Sequence, residues 1–408
     1  MVRMIVLAAA GLLAAPPPGA GQQETPPAKR LRETYVAAAD WLAGQQDARG
    51  AWHAGLLGRS EPSVAYTALI VAGFLNAPED LRARYRVNAS RGVAWLLSRA
   101  NPDGSFGEGE NGSFVRTYAT AIALMALSSA EWSDRTGDAM RGARAYLRNH
   151  QLREGPHRGG SGYGDLELKR DPETGEFKAV PSSLANLSTT SFAADALKCS
   201  GLSLSDEYWE RVAEFVRKCQ NCSEVNKDPA WRSALRENGL SVGDEGSLFY
   251  SPDPDRRVQK AGTLRVGDRE TIVGYGSMTY DGIKTYLYAG LRRDSPEVKA
   301  AVDWVRRNYS IGSHPGFAFD RQRRHHLRGL YYYHLVMARA LDAFSERPFV
   351  TADGREHDWP AELAEEFLKT VRESRLWKND NPAWYEGDPV LVTSYVLNTC
   401  DILFKYLR

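Results

Sequence analysis

The stretch that decides the fold runs from Gly92 to Leu127. Its first part, Gly92–Gly109, reads GVAWLLSRANPDGSFGEG, and its second, Val115–Leu127, reads VRTYATAIALMAL. The first part ends an amphipathic helix with an aromatic anchor, Trp95, and a cation, Arg99, suited to the negative end of the helix dipole. Gly104 lets the chain reverse, and Phe106 follows two residues later. The second part is apolar nearly all round, and a helix of that kind is buried on every face. The unit is therefore one amphipathic helix, one glycine turn and one buried helix.

The unit recurs, and the recurrence governs everything else. The anchor Trp95 is preceded by Trp41 and followed by Tyr146, Phe215, Trp304 and Phe367. The buried partners are SVAYTALIVAGFL from Ser63, VRTYATAIALMAL from Val115, STTSFAADALKCSG from Ser188, SMTYDGIKTYLYAGL from Ser277, GLYYYHLVMARAL from Gly329 and LVTSYVLNTCDILF from Leu391. An open solenoid needs polar capping repeats, yet the first and last units are as apolar as the middle ones. The pattern predicts an all-α fold: a closed α/α toroid of six helical hairpins in two concentric rings, the apolar helices inside, over residues 36–408. Long insertions at 155–187 and 223–276 fall at the same end of the repeat, so both are expected over one mouth of the ring. GSLFYSPDP from Gly246 and AGTLRVGDRETIVGYG from Ala261 alternate around turn residues and predict a small β-hairpin insertion.

The chain has 408 residues, 43% hydrophobic and 25% charged, with a net charge of +1. Mixed charge near zero speaks against nucleic acid as partner, which requires a concentrated basic face. Arg3, the apolar run Ile5–Ala15, Pro16–Pro18 and the small residues Gly19–Gly21 read as a signal peptide over 1–21, with a linker at 22–35. The expected location is outside the cytoplasm, periplasmic or secreted. No later apolar run is long enough for a transmembrane segment. Cys219 and Cys222 form a lone CxxC without further zinc ligands nearby, and Cys199 and Cys400 read as small hydrophobes in apolar helices. The pairing of the four is open; no metal and no cofactor is expected.

The turns carry a resemblance. Gln45 or Gln46 with Gly50 and Trp52, then Gly104, Phe106 and Gly107, then Gly162-Tyr163-Gly164 and Gly316-Phe317, resemble the prenyltransferase and squalene-oxidase repeat of the terpenoid-cyclase and protein-prenyltransferase α/α toroids. YGSMTYDGIKTYLYAGL, GLYYYHL and WYEGDPVLVTSY resemble exported single-toroid proteins of planctomycete-like bacteria in particular. The resemblance implies the toroid and leaves the activity open.

It also says which chemistries to look for. Terpene cyclases of this superfamily carry a paired-aspartate D-x-D-D-T-A motif. The counterpart here is Ser63-Val64-Ala65-Tyr66-Thr67-Ala68, with Ala65 and Tyr66 at acidic positions. Asp281 is the carboxylate near the start of an inner helix, and its neighbours are Tyr280 and Gly282. Protein prenyltransferases bind zinc through Asp, Cys and His; His334 resembles their histidine, but the Asp-x-Cys partner is missing. The toroids of complement thioester domains need a reactive Cys and Gln in one short motif, which no cysteine here has.

Polar residues on buried helices need partners. Tyr66, Tyr118, Tyr280, Tyr332 and Tyr395 fall early in their inner helices, joined by Asp281, Lys284 and His334, with Glu386 and Asp388 in the turn WYEGDPVL. As core residues they would satisfy their hydroxyls on backbone; as cavity residues they would bind a ligand. The function expected is binding of a small-molecule, lipid or glycan ligand in an aromatic-lined central cavity. The enzymatic alternatives are a terpene-cyclase-like acid, Asp281 beside Tyr280 and His334, and a polysaccharide-lyase-like set, His334, Tyr332 and Arg328. The basic run Arg321–His326 reads as a solvated loop or an anion site.

Overall fold

The structure, a computed structural model, describes residues 26–56, 59–107, 115–164, 166–170, 177–181, 184–319 and 322–407. The signal-peptide segment 1–21 lies outside them. In chain order the helical pairs are α1 (Pro26–Gly44) with α2 (Val64–Asn76), α3 (Glu79–Leu97) with α4 (Arg116–Ser128), and α5 (Asp134–Asn149) with α6 (Leu187–Cys199). Then come α7 (Glu207–Lys218), a short α8 (Pro229–Glu237) and α9 (Gly276–Tyr288), followed by α10 (Pro296–Asn308) with α11 (Leu330–Phe344) and α12 (Trp359–Thr370) with α13 (Pro389–Leu403).

The inner ring runs α2, α4, α6, α9, α11, α13, each packed on the next, and α13 packs back on α2. At the seam Asn398 Nδ2 donates to Leu69 O at 2.9 Å, and the Tyr35 hydroxyl of α1 donates to Gly73 O at 3.0 Å. Gly73 permits that approach, since a Cβ there would stand 3.3 Å from Leu397 Cβ. Outside, α1 packs on α12. The toroid is closed.

One turn, repeated, holds the two rings together. Gly50, Gly104, Gly159 and Gly246 have φ of +99°, +86°, +91° and +94°, which only glycine adopts without strain. A Cβ on them would overlap the carbonyls of Arg91, Gly142, Arg211 and Ala300, each on the next outer helix. Gln46, Gln151 and Gln220 clamp three of these turns. Their amides donate to Gly50 O, Gly159 O and Gly246 O at 3.0, 3.0 and 3.3 Å, and to carbonyls of the next outer helix at 2.9–3.1 Å. Two residues past each glycine, the backbone N–H of Trp52, Phe106, Ser161 and Leu248 donates to Thr67, Thr120, Thr190 and Thr279 Oγ1 at 2.8–3.1 Å. Each hydrogen bond contributes about 1 kcal/mol net, whereas burying a ring such as Trp52 contributes about 2–3 kcal/mol. At the Gly50 turn the three clamp bonds and the buried Trp52 ring stabilise by similar amounts, and the polar clamp also fixes register.

Four details differ from the sequence reading. Helix α1 begins at Pro26, inside the stretch taken as linker 22–35, because proline is favoured in a first helical turn, where its missing N–H is no loss. The third and fourth turns centre on Gly159 and Gly246, whereas the copy read at Gly162–Gly164 is out of register. The single hairpin expected is one of four antiparallel pairs: β1–β2 (His53–Leu56, Arg59–Pro62), β3–β4 (Leu166–Arg170, Phe177–Pro181), β5–β6 (Thr263–Val266, Arg269–Ile272) and β7–β8 (Phe349–Val350, Glu356–His357). The insertion at 223–276 also holds α8, started by Asp228, whose carboxylate accepts from Trp231 N at 2.9 Å. Among the described residues no helix is long and apolar enough to cross a membrane.

Candidate functional site

The first turns of the inner helices converge at the end of the ring that carries the insertions. There they enclose a cavity of about 360 Å³. Inner helices contribute Tyr66, Tyr118, Tyr332 and Tyr395, with Leu69, Ile122, Met278 and Leu391 between them. Tyr275 comes from the residue before α9, Tyr163 and Tyr250 from the two insertions, and Trp384 and Tyr385 from the turn before α13. All six hairpins supply lining, and eight phenols ring the space. Tyr118 packs against Phe192 at 4.7 Å between centroids, Phe192 stacks on Tyr332 at 6.0 Å, and Tyr332 meets Tyr395 at 6.2 Å. Tyr250 donates to the Tyr163 hydroxyl at 2.7 Å, tying the two insertions together across the mouth. Burial pushes the phenols of Tyr118, Tyr275 and Tyr332 well above their ordinary range, so they stay neutral.

Below Tyr332 lies a charge cluster in which Asp281, Lys284 and Asp195 are buried and Arg339 is partly exposed. The Tyr332 hydroxyl donates to Asp281 Oδ2 at 2.6 Å, and Ser191 Oγ donates to Oδ1 at 2.7 Å. Lys284 Nζ stands 3.2 Å from Asp281 Oδ1 and 2.8 Å from Asp195 Oδ2, and Arg339 Nη1 donates to Asp195 Oδ2 at 2.9 Å. Two carboxylates and two cations cancel, which is the condition for burying them at all. Burial pushes the Asp281 carboxyl up, and the Lys284 charge opposes it.

Two further features shape the mouth. Trp384 and Tyr385 both sit in the left-handed region, at φ 57° and 65°. Trp384 is held there by Gly329, where any Cβ would overlap the indole. Strained pairs of this kind are kept where a side chain must be aimed; here both line the cavity.

A family model described as the prenyltransferase alpha-alpha toroid domain matches residues 23–165 and 163–231, more than half of the chain. The chain belongs to this family.

Solved structures extend the likeness of fold over nearly the whole toroid. An arginine-to-alanine variant of the type II terpene cyclase MstE from Scytonema, in complex with geranylgeranyl dihydroxybenzoate, superposes with a TM-score of 0.52 at 14% identity, covering 93% of this chain and 98% of that one. The apo form of MstE gives 0.51 at 15%, covering 91% and 98%. An alpha-amylase from Clostridium perfringens gives 0.50 at 11%, covering 90% and 97%. At such identities the likeness is of fold. No curated protein sequence matches the chain.

Within this prenyltransferase-type toroid, the residues singled out from sequence separate into two groups. Tyr66, Tyr118, Tyr332 and Tyr395 line the cavity. Tyr280 does not: it lies about 200° round α9 from the lining Met278 and packs outward on Tyr333 at 5.8 Å. Asp281 and Lys284 belong to the buried cluster beneath. His334 also faces away, with Nε2 donating to Ile311 O at 2.8 Å and the ring against Phe367 at 5.5 Å; burial lowers its pKa to about 4, so it is neutral. Glu386 is a remote cap for α11, accepting from Tyr332 N at 2.7 Å and Tyr331 N at 3.3 Å, with its carboxyl raised by burial to about 7. Asp388 caps α13, accepting from Val390 N at 2.9 Å. It lines a separate open groove between the first and last hairpins, with Asp47 and His53. Arg328 packs over Phe317 and donates to Lys260 O. Of the basic run, Arg324 pairs with Asp380 and His326 stacks on Phe319; Arg321 lies outside the described residues.

Sequence reading missed Tyr163, Tyr250, Lys260, Tyr275 and Trp384, which reach the cavity from loops. It also missed Asp195 and Arg339. Asp195 did leave a signal, a carboxylate within the apolar run SFAADALKC, which must find a cation. The four cysteines are unpaired, and no cluster of three or more potential metal ligands occurs among the described residues.

Proposed function

We propose that this toroid takes a small molecule with a largely apolar or aromatic body into its central cavity, and that it does so as an exported protein. The observation that carries the reading is the convergence of eight tyrosines and Trp384 from all six hairpins on one cavity of about 360 Å³. A concave, ring-lined space with a few polar groups is the ordinary form of a small-molecule site. Phenols suit such a ligand because each offers a face for stacking and one hydroxyl for orientation. The run Ile5–Ala15 behind Arg3 supports export.

The enzymatic readings lose support on geometry. Both oxygens of Asp281 are engaged by Ser191, Tyr332 and Lys284, which favours a role as floor over one as proton donor to a substrate. His334, Tyr332 and Arg328 meet three different surroundings, so they do not form the base and cation a lyase needs.

Titration with N-phenylnaphthylamine, a neutral three-ring fluorophore, tests the proposal. Wild type should enhance its emission saturably. Ala65→Trp, which fills the space where Ala65 lines the cavity, should abolish the signal while leaving the circular dichroism spectrum unchanged. No saturable binding to wild type, or equal binding to the filled variant, would remove the proposal.

A further inference from the structure

Among the described residues lining the cavity, Lys260 is the one charged side chain. Its Nζ lies 4.6 Å from the centroid of Tyr250, and among the described residues it has no ion pair. The neighbour that acts on it electrostatically is another cation, Arg328, which donates through Nη1 to Lys260 O at 3.2 Å. Among the described residues Arg328 likewise has no carboxylate partner, and its buried Nε has no hydrogen-bond acceptor there. Elsewhere in the molecule the buried cations are matched: Lys284 and Arg339 share Asp195 and Asp281. Two partly buried like charges beside an apolar cavity are costly unless something negative joins them. Among the described residues that line the space, the remaining polar groups are phenols, serines and the Trp384 indole, none of which supplies that charge.

We propose that Lys260, with Arg328 behind it, binds the carboxylate of a small aromatic or apolar acid whose body fills the tyrosine-lined cavity. The inference rests on the cavity being a ligand site and adds the chemical class of the ligand. A head group at Lys260 stays near the mouth, because Lys260 enters from the 223–276 insertion together with Tyr250. The hydrocarbon then points down toward Leu69, Ile122 and Tyr332. Acid and body are thus read by different walls of the site.

The test is displacement of N-phenylnaphthylamine by naphthaleneacetic acid and by its primary amide, which share one body and differ in charge. The acid should compete about tenfold or more better than the amide against wild type, as expected of a charge-assisted hydrogen bond over a neutral one. In Lys260→Gln the two should become equal, with the amide unchanged, and Arg328→Gln should reduce the preference in part. Equal competition by acid and amide on wild type would overturn the carboxylate assignment while leaving the cavity reading intact. So would a preference that survives both substitutions. Failure of the fluorophore itself to bind wild type would instead bring down the cavity reading.

Discussion

Tyr332→Phe removes a single oxygen, and the structure fixes what that oxygen does. It donates to Asp281 Oδ2 at 2.6 Å and meets Ser188 Oγ at 3.0 Å, while Asp281 itself is 0% exposed. No water replaces the lost donor at a fully buried carboxylate, and hydrogen bonds to charged groups contribute about 1.5–3 kcal/mol. Ser188 is half-buried and can turn to another partner, so its share is small. The expected loss is therefore about 2 kcal/mol, a factor of about 30 in the folding equilibrium. Asp281 keeps Ser191 and Lys284, so the protein should still fold. Urea unfolding followed by circular dichroism, with one slope for both proteins, reads the shift in midpoint. Tyr385→Phe, at a phenol 64% exposed on the same rim, is the control and should stay within about 0.5 kcal/mol. If Tyr332→Phe matched that control, the hydroxyl would not be holding Asp281, and the buried cluster would have been assigned wrongly.

Three more outcomes follow from the same geometry. Gly159→Ala should cost more than about 3 kcal/mol, because its φ is +91° and a Cβ would overlap Arg211 O, whereas Gly155→Ala, at φ +73° in open space, should cost about 1 kcal/mol; thermal or urea unfolding separates them. His334 is buried neutral with a pKa of about 4 against about 6.5 unfolded, so the unfolded state takes up its proton first and stability falls as pH drops through that window. His334→Gln should flatten the stability profile between about pH 6 and 4.5 by about 1.4 kcal/mol per pH unit relative to wild type, and an unchanged slope would contradict the burial argument. N-terminal sequencing of exported protein should find a start near residue 22; a chain still beginning at Met1 would speak against the signal peptide.

The ring was legible because burial leaves a compositional mark. Helices such as α4, with Thr117 and Ala119–Leu127 all buried, can sit only inside, and the aromatic anchors marked their outer partners. The turns were half legible. Gln46, Gly50 and Trp52 show the whole pattern, but in the third and fourth copies Ser161 and Leu248 replace the ring. Gln151 and Gln220 then pass unnoticed although they make the same clamps. The cavity was legible on its helical wall and opaque on its loop wall. Tyr66, Tyr118, Tyr332 and Tyr395 follow from helix phase, and the misplacement of Tyr280 shows how two positions along a helix, about 200° of phase, turn a residue from the lining outward. Lys260 and Trp384 reach the cavity through long loops, whose path depends on packing that no periodicity encodes.

The central claim is that the tyrosine-lined space is occupied by a small organic molecule. Native mass spectrometry of wild type and Ala65→Trp, expressed and purified side by side, tests it most directly. Wild type should carry a bound mass that denaturation releases and that Ala65→Trp lacks. An unliganded wild type that also fails to retain an added aromatic acid, or the same adduct on both proteins, would contradict the account.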